Sequence, residues 1–493
     1  MIQHIVPELI LLATALGVVF SGVVLVGKNK NIPFWQTQFG YLSAFAAAVL
    51  IIPDHPEKFI QNTMMVDSIS QYIKALLIFC GLVLSVFGYL SKEMTKSMKL
   101  EFYVLTNILI LAACILTSAI HFVPLYVALE LVFLILFILI VFSYDAKKSS
   151  EASAKFLIFN SVSSLFFVLA VVLMYGYTKE FNIFDIQAAL RGSNTPLAYF
   201  SVVFALLFIG FATKVSMFPF QLNLPAVVYG ASMPVAALLC TIPLVIGFVL
   251  ITKFFLMIFG AHDLAAAQWT PLEGYNWVKL MAVLIAVSMT FSNLVALVQK
   301  DIKRLFAYVA TSNISFLLLG FVILNEKGLS SMLFGLSTYC ISVLGSLLVI
   351  MLCVNESKNN SGLNVIKGLV WKKPWEAVLF CLFVISLAGV PPFVGFTGKV
   401  YLLSAVIEKN ILWLAMVAGV NIIVGLKYYF HLLQLIFEKD NDAHYRVSSS
   451  SIAGVFSAEK ITLGFLAVPT ILAGLYWDSW VQYIFHSLKN ILW

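Results

Sequence analysis

Of the 493 residues 61% are hydrophobic and 11% charged, with a mean hydropathy of +1.00, and no soluble core can hide that much apolar surface; a water-soluble globular protein is excluded. The net charge of +7 comes from basic residues dispersed over short loops rather than gathered into a patch, which argues for membrane orientation and against a nucleic-acid partner. The six cysteines (Cys80, Cys114, Cys240, Cys340, Cys353 and Cys381) fall in apolar runs without the paired spacing of zinc or iron–sulfur ligands, and read as small buried hydrophobes.

A membrane helix needs about 20 apolar residues, and spans plus short loops recur here roughly every 35 residues, so the chain reads as an all-α polytopic membrane protein of about 14 transmembrane helices. A transmembrane barrel would show alternating segments of about ten residues instead. The first run, 5–26, is long, lacks a basic n-region and shows no cleavage site, and is expected to be a retained helix rather than a signal peptide. The later spans are expected at 38–52, 72–90, 102–118, 122–144, 152–175, 197–220, 234–259, 278–298, 305–324, 330–354, 377–404, 412–437 and 461–475. The tail 478–493 spaces aromatic and aliphatic residues as an interfacial segment does.

Basic residues alternate between loops. The odd-numbered loops carry Lys28 and Lys30, then Lys92, Lys96 and Lys99, then Lys147 and Lys148, then Lys300, Lys303 and Arg304, then Lys358, Lys367, Lys372 and Lys373. The even-numbered loops hold few (Lys58, Lys179, Arg191, Lys327, Lys409), so the positive-inside rule sets both termini outside the cytoplasm and supports an even helix count.

Glu130 lies mid-span in HFVPLYVALELVFLILFILIVF, where a charge costs about 2.5–3.5 kcal/mol on insertion scales and needs a partner or a hydrated cavity. The stretch FATKVSMFPFQLNLPAVVYGASMP, 211–234, puts Lys214 in a hydrophobic run and then interrupts that run with Pro219, Pro225 and Pro234. Proline-broken helices survive at membrane depth only where protein or a wet cavity receives the freed backbone groups. Glu130 and Lys214 are candidate partners whose proton occupancy would be coupled. The other readings are a protonated Glu130 bonded to a neighbouring helix and a Lys214 that snorkels to the headgroups. Lys155, four residues after Glu151, reads either as a relay or as an ordinary i to i+4 pair.

A second broken span, SLAGVPPFVGFTGK, sets Pro391, Pro392, Gly395 and Gly398 beside Lys399, the natural second proton site. Two interrupted spans point to a transporter-like architecture of two inverted five-helix repeats, 101–260 (helices 4–8) and 277–438 (helices 9–13), preceded by helices 1–3 in 1–100 and followed by a last helix and tail in 458–493. Lys427 and His431, one turn apart, read either as a proton feed or as a polar helix face. Asp67 and Lys74 look interfacial. Thr311, Ser312, Ser315, Ser337, Ser342 and Ser346 fit a water wire or helix packing equally well.

In their order and spacing LYVALEL around Glu130, FATKVSMFPF around Lys214, the Pro225 to Pro234 remnant P-x-V-x-x-G-A-x-x-P, SNLVALVQKDIKRLFAY at 292–308 and SLAGVPPFVGFTGK resemble the antiporter-like membrane subunits of respiratory complex I, and most closely the subunit N group of bacterial NADH:quinone oxidoreductases. The resemblance covers nearly the whole chain. It implies an ion pair of Glu130 and Lys214 in a proton channel, Lys399 as terminal lysine, and a bacterial inner membrane with both termini periplasmic. It also implies other membrane-arm subunits as partners, with NADH, FMN, iron–sulfur clusters and quinone held by partner subunits and no cofactor or metal here; no dinucleotide fingerprint or cluster ligand set occurs in the chain.

The chain departs from that family where a relay lysine on the eighth helix is replaced by Leu244 after Ile242 and Pro243, where the tenth-helix histidine is Asn313, and where Gln221, Asn223 and Ala226 replace a histidine, a tryptophan and an aspartate. Hydroxyls such as Thr241 with water, or Lys427, would have to bridge the gap; otherwise the subunit conducts poorly. Two other functions stay open: a subunit of a multisubunit cation/proton antiporter, and a non-pumping scaffold of the membrane arm.

Overall fold

The computed structural model describes residues 5–24, 31–53, 56–142, 146–192, 197–263, 268–271, 277–357, 362–439 and 458–489. The chain opens with α1 (Val6–Val24) and α2 (Ile32–Leu50), a hairpin of β1 (Glu57–Phe59) and β2 (Met64–Val66), then α3 (Ser68–Leu90), α4 (Lys96–Ser118), α5 (Phe122–Val141), α6 (Ala146–Thr178) and the short α7 (Ile183–Gly192). Next come α8 (Leu197–Lys214), α9 (Asn223–Gly230), α10 (Met233–Leu239), α11 (Ile242–Ile251), a π-helical segment Thr252–Ile258 and a hairpin of β3 (Gly260–Asp263) and β4 (Gln268–Pro271). The rest is α12 (Trp277–Ala296), α13 (Ile302–Leu317), α14 (Leu319–Ile323), α15 (Glu326–Val354), α16 (Leu369–Lys372), α17 (Pro374–Ala388), α18 (Val394–Glu408), α19 (Leu412–Phe437), α20 (Ala458–Leu475) and α21 (Trp477–Lys489). Among the described residues eleven helical segments, two of them the composite runs α10–α11 with the π-helical segment and α13–α14, are long and apolar enough to cross a membrane.

Hydrophobicity all round a helix, rather than on one stripe, decides which helices lie in the middle. α15 and the α13–α14 segment are buried along their whole apolar windows, and α10–α11 nearly so, while α1, α6, α19 and α20 keep most of theirs on the outside. Exposed side chains on the outer helices are large and apolar, such as Val127 and Leu134 on α5 and Phe465 and Leu472 on α20, as hydrocarbon contact requires. The helices start where capping residues allow: the Asp67 carboxylate accepts from the Ser70 amide, Asp301 accepts from the amides of Lys303 and Arg304, and Asn325 from that of Gly328.

The connections gather at two ends, as the alternation of charge predicts. At one end Ile120 N donates to Thr63 O, Ile183 N to Ile120 O and Trp269 N to Leu324 O, and Lys327 pairs with Glu408 at 2.5 Å. At the other, the Met233 amide donates to Glu93, Lys303 Nζ donates to Ala231 O, Leu363 N donates to Lys300 O, and Lys367 pairs with Glu438 and Lys373 with Glu356. Lys148 and Arg304 lie over the Tyr229 ring at that second end. The first end, with both hairpins, is called the hairpin end below, and the second the basic end. Lys28, Lys30 and Lys358 fall outside the described residues.

Three expectations change. The span 234–259 is not one helix, because Cys240 and Thr241 separate α10 from α11 and its last part is π-helical. α2 begins at Ile32 and α4 at Lys96, each about six residues before the start of its apolar run, since polar residues extend both helices past it. Lys74 is not interfacial: it is fully enclosed and its Nζ lies 2.5 Å from Glu8 Oε1 of α1.

A Cβ on Gly395 would sit 1.8 Å from the Ser386 carbonyl oxygen, whereas one on Gly17 would meet nothing within 4 Å. Gly395→Ala is therefore expected to destabilise by about 1–3 kcal/mol through forced backbone shifts, and Gly17→Ala to leave the melting temperature of the assembled protein unchanged or slightly raised.

Candidate functional site

Lys214 is the last residue of α8, at the point where the helix stops because Pro219 and Pro225 follow. The freed backbone groups find partners: Met217 N donates to Ala212 O, Phe218 N donates to Ser288 Oγ of α12, and Ser163 Oγ of α6 donates to Gly210 O. Ser216 takes a left-handed φ of 53°, which turns the chain out of the helix. The break is thus held open by α6 and α12, and the lysine beside it is only 5% exposed.

The ammonium of Lys214 is met from every side. Its Nζ lies 3.5 Å from Glu130 Oε1 of α5, donates to Ser164 Oγ at 3.2 Å and to Asn160 Oδ1 on α6, and sits 4.0 Å from the centroid of Phe133. Ser164 in turn donates to Glu130 Oε1, so one hydroxyl bridges the two charges. Glu130 keeps 30% of its side chain accessible and Lys214 2%, so the carboxylate reaches the outer surface of the chain while the lysine is enclosed. A cavity of about 20 Å³ adjoins Lys214, lined by Asn160, Thr213, Ser216, Asn223, Leu239 and Pro243, and that volume accommodates about one water. Asn223, one of the lining residues, has a buried amide oxygen without a hydrogen-bond partner among the described residues. A lysine flanked by a carboxylate, a hydroxyl, an amide oxygen and a water-sized space can hold or release a proton without leaving an uncompensated charge.

At the second break α17 ends at Gly389, whose φ of +80° closes the helix in a left-handed cap. Lys399, on α18, reaches back and donates to the carbonyls of Leu387 at 2.7 Å and Ala388 at 3.2 Å, where the helix dipole favours a cation. Among the described residues no carboxylate pairs with it. Its cavity, about 30 Å³, is lined by Asn313, Thr338, Tyr339, Ser342 and Ser386, and a second space of about 20 Å³ leads from Lys399 past Asn313 to Asn293, Asn421, Tyr428 and Tyr429. There Asn313 donates to Tyr429 Oη, Tyr428 donates to Asn293 Oδ1 at 3.0 Å and Ser312 donates to the same oxygen at 2.7 Å.

Leu244, 1% exposed, lies in the first turn of α11, just after the gap between α10 and α11. Tyr339 of α15, which lines the Lys399 cavity, donates its hydroxyl at 2.8 Å to the carbonyl of Cys240 in that gap. Leu239 and Pro243, on either side of that gap, line the Lys214 cavity. Tyr339 therefore joins the walls of the two cavities, a role the sequence does not signal because a lone tyrosine in an apolar helix reads as packing.

The other candidates divide. Asn313 lies in the polar cluster. Thr241 is buried, with its hydroxyl bound to the carbonyls of Ala237 and Leu238 in the preceding helix. Lys155 forms the 2.5 Å pair with Glu151 on the exposed face of α6, the ordinary helical pairing. Lys427 and His431 are exposed on α19, whose inner face carries Asn421, Gly425, Tyr428, Tyr429 and Leu432, so helical periodicity turns them away from the cluster. Ser164, Asn160, Tyr339 and the Glu8–Lys74 pair are the residues that sequence reasoning missed.

If the bridged pair is one unit, Glu130→Gln and Lys214→Met are non-additive: their double-mutant cycle on thermal stability of the assembled protein should give a coupling of about 0.5–3 kcal/mol, and Ser164→Ala should diminish it. Strict additivity would mean that the two side chains do not interact in the folded protein.

Residues 119–425 match the family described as NADH:quinone oxidoreductase/Mrp antiporter, TM. The chain is 30% identical over 492 residues to NADH-quinone oxidoreductase subunit N 2 of Chloroherpeton thalassium, an alignment that covers 99% of this chain and 94% of that protein. In fold it is similar to a chain of respiratory complex I from Thermus thermophilus with bound aureothin (TM-score 0.75, 22% identity, 96% of this chain and 98% of that one). It is likewise similar to a chain of the Mrp complex from Dietzia sp. (TM-score 0.82, 18% identity, 99% of this chain and 97% of that one). With a family match through the whole central part and 30% identity along nearly its full length, this chain belongs to the NADH:quinone oxidoreductase/Mrp antiporter transmembrane family.

Proposed function

We propose that this chain is a proton-translocating membrane-arm subunit of an NADH:quinone oxidoreductase, and that Glu130, Lys214 and Lys399 carry the proton sites. The observation that carries the proposal is the Ser164-bridged Glu130–Lys214 pair at a broken helix, within a chain 30% identical to a subunit N over 492 residues. The redox reaction, with NADH, FMN, iron–sulfur clusters and quinone, belongs to partner subunits in this reading, and the exposed apolar faces meet lipid and neighbouring membrane-arm subunits.

In the loaded state Lys214 holds its proton against Glu130. A shift of Glu130 toward its accessible side weakens the pair, and the proton leaves through the adjoining cavity. Tyr339 can pass a proton across the Cys240 gap once its hydroxyl turns from the Cys240 carbonyl into the Lys399 cavity: its oxygen accepts a proton from the Lys214 side as its own proton goes to water there, bound for Lys399 and the Asn313 cluster without a lysine at position 244. The bistable element that partners would bias is the broken span itself.

Fourteen crossings fit the structure when α2 and the broken pairs α8–α9 and α17–α18 each count as one crossing beside the eleven long segments. Segments 101–260 and 277–438 then begin at opposite ends of the bundle, as inverted repeats must. The excess of lysine and arginine at the basic end favours the cytoplasmic side for it, hence periplasmic termini in a bacterial inner membrane. The two lysines are not placed alike, since Lys214 precedes its break and Lys399 follows its own. Leu244 is the one observation that favours a non-pumping scaffold, and subunit N rather than a cation/proton antiporter subunit is favoured by the full-length identity.

In vesicles reconstituted with the assembled complex, Lys214→Ala and Lys399→Ala should each lower the protons delivered per NADH oxidised, Tyr339→Phe should lower it too, and Leu244→Lys should leave the path working or improve it. Unchanged ratios in both alanine variants, with normal assembly, would support the scaffold.

A further inference from the structure

A second buried ion pair lies apart from the groups assigned to that path. Glu8, on the first turn of α1, is 8% exposed and holds Lys74, 0% exposed on α3, at 2.5 Å. Among the described residues the second carboxylate oxygen of Glu8 is buried without a hydrogen-bond partner, and so is the hydroxyl of Ser118 at the end of α4. Cys114, one turn earlier on α4, lies within electrostatic reach of both charges. The residue after Ser118, Ala119, accepts a hydrogen bond from Lys253, a further buried lysine (5% exposed) that has Asp67 and Lys74 within electrostatic reach. Asp67, 5% exposed, caps α3 immediately after the β1–β2 hairpin. Two carboxylates and two lysines thus gather near the hairpin end, where α11 packs on α3 and α4 and its π-helical continuation reaches the end of α4 through the Lys253–Ala119 bond.

A pair kept only to fasten α1 to α3 has an easier solution in apolar side chains, which are commonly as stable as a buried ion pair. This cluster has features a fastener does not need: a carboxylate oxygen and a hydroxyl with no partner among the described residues, and a lysine set inward by a π-helical segment, a distortion frequent at functional sites. We propose that Glu8 and Lys74, with Lys253, form a second proton-holding site through which protons pass between the membrane interior and the hairpin end; this rests on the translocation reading above.

The steps balance without any co-reactant. Lys74 ammonium gives one proton to the Glu8 carboxylate, leaving an amine and a carboxylic acid with no net charge. The acid gives the proton up to water, which carries it to a neutral Lys253, whose charged neighbours are Lys74 and Asp67, and Glu8 pairs again when Lys74 regains a proton from the interior. Lys253, as ammonium, is held by the Ala119 carbonyl beside Asp67 and is the group that releases at the hairpin end.

The test uses the whole complex in vesicles, with NADH oxidation and proton delivery measured together and Lys214→Ala as reference. Glu8→Gln and Lys253→Arg are expected to lower protons per NADH to the value of Lys214→Ala, because sites in series fail alike. Lys253→Arg keeps charge and hydrogen bond but does not release its proton, so a merely structural lysine would leave the ratio at wild type, and the variant decides the matter even if Glu8→Gln does not assemble. A full ratio in Lys253→Arg, or in an assembled Glu8→Leu/Lys74→Met double variant, while Lys214→Ala is lowered, overturns this inference alone. A full ratio in Lys214→Ala overturns the translocation reading and this inference with it.

Discussion

An ammonium group at membrane depth needs fixed polar partners, and a helix broken at the same depth needs receivers for its backbone groups. Around Lys214 one set of side chains answers both demands. α6 supplies Ser163 to the Gly210 carbonyl below the break and Asn160 and Ser164 to the ammonium, while α12 supplies Ser288 to the Phe218 amide. The break and the charge therefore stabilise each other's geometry, and moving α5 or α6 perturbs both.

The two lysines meet this requirement differently. Lys214 has a carboxylate partner on another helix, one whose side chain is partly accessible. Lys399 has the carbonyl end of α17 instead, a fixed dipole with no proton of its own. A site with a side-chain counter-charge suits gating, and one held by backbone suits receiving. The Tyr339–Cys240 contact between them is a hydrogen bond to a backbone carbonyl exposed only because α10 and α11 are separate helices.

Glu130 and Lys214 were legible in the sequence because a charge inside a long apolar run needs an explanation, and prolines beside it mark the break. Ser164 and Asn160 were not, because hydroxyls and amides in apolar helices usually bond to their own turn, as Thr241 does here. Lys74 read as interfacial from its place seven residues after Asp67; only the packing of α1 against α3 turns it into a buried pair, and tertiary contact of that kind has no local signature. Lys427 and His431 drew attention by their spacing, yet the face that carries them is decided by Asn421, Tyr428 and Tyr429, which have better partners inside. The interruption at Cys240 and Thr241 was masked by a hydrophobic run that continues unbroken through it.

The central claim is that a proton crosses the Leu244 position without a lysine, by way of water and the Tyr339 hydroxyl. A structure of the assembled complex at a resolution that shows internal waters measures this directly. The account predicts ordered water in the Asn223-lined space beside Lys214 and in the Lys399 cavity, with Tyr339 or its waters spanning the Cys240 gap. Dry apolar packing around Leu244, with both spaces empty and Tyr339 turned from the gap, would contradict it.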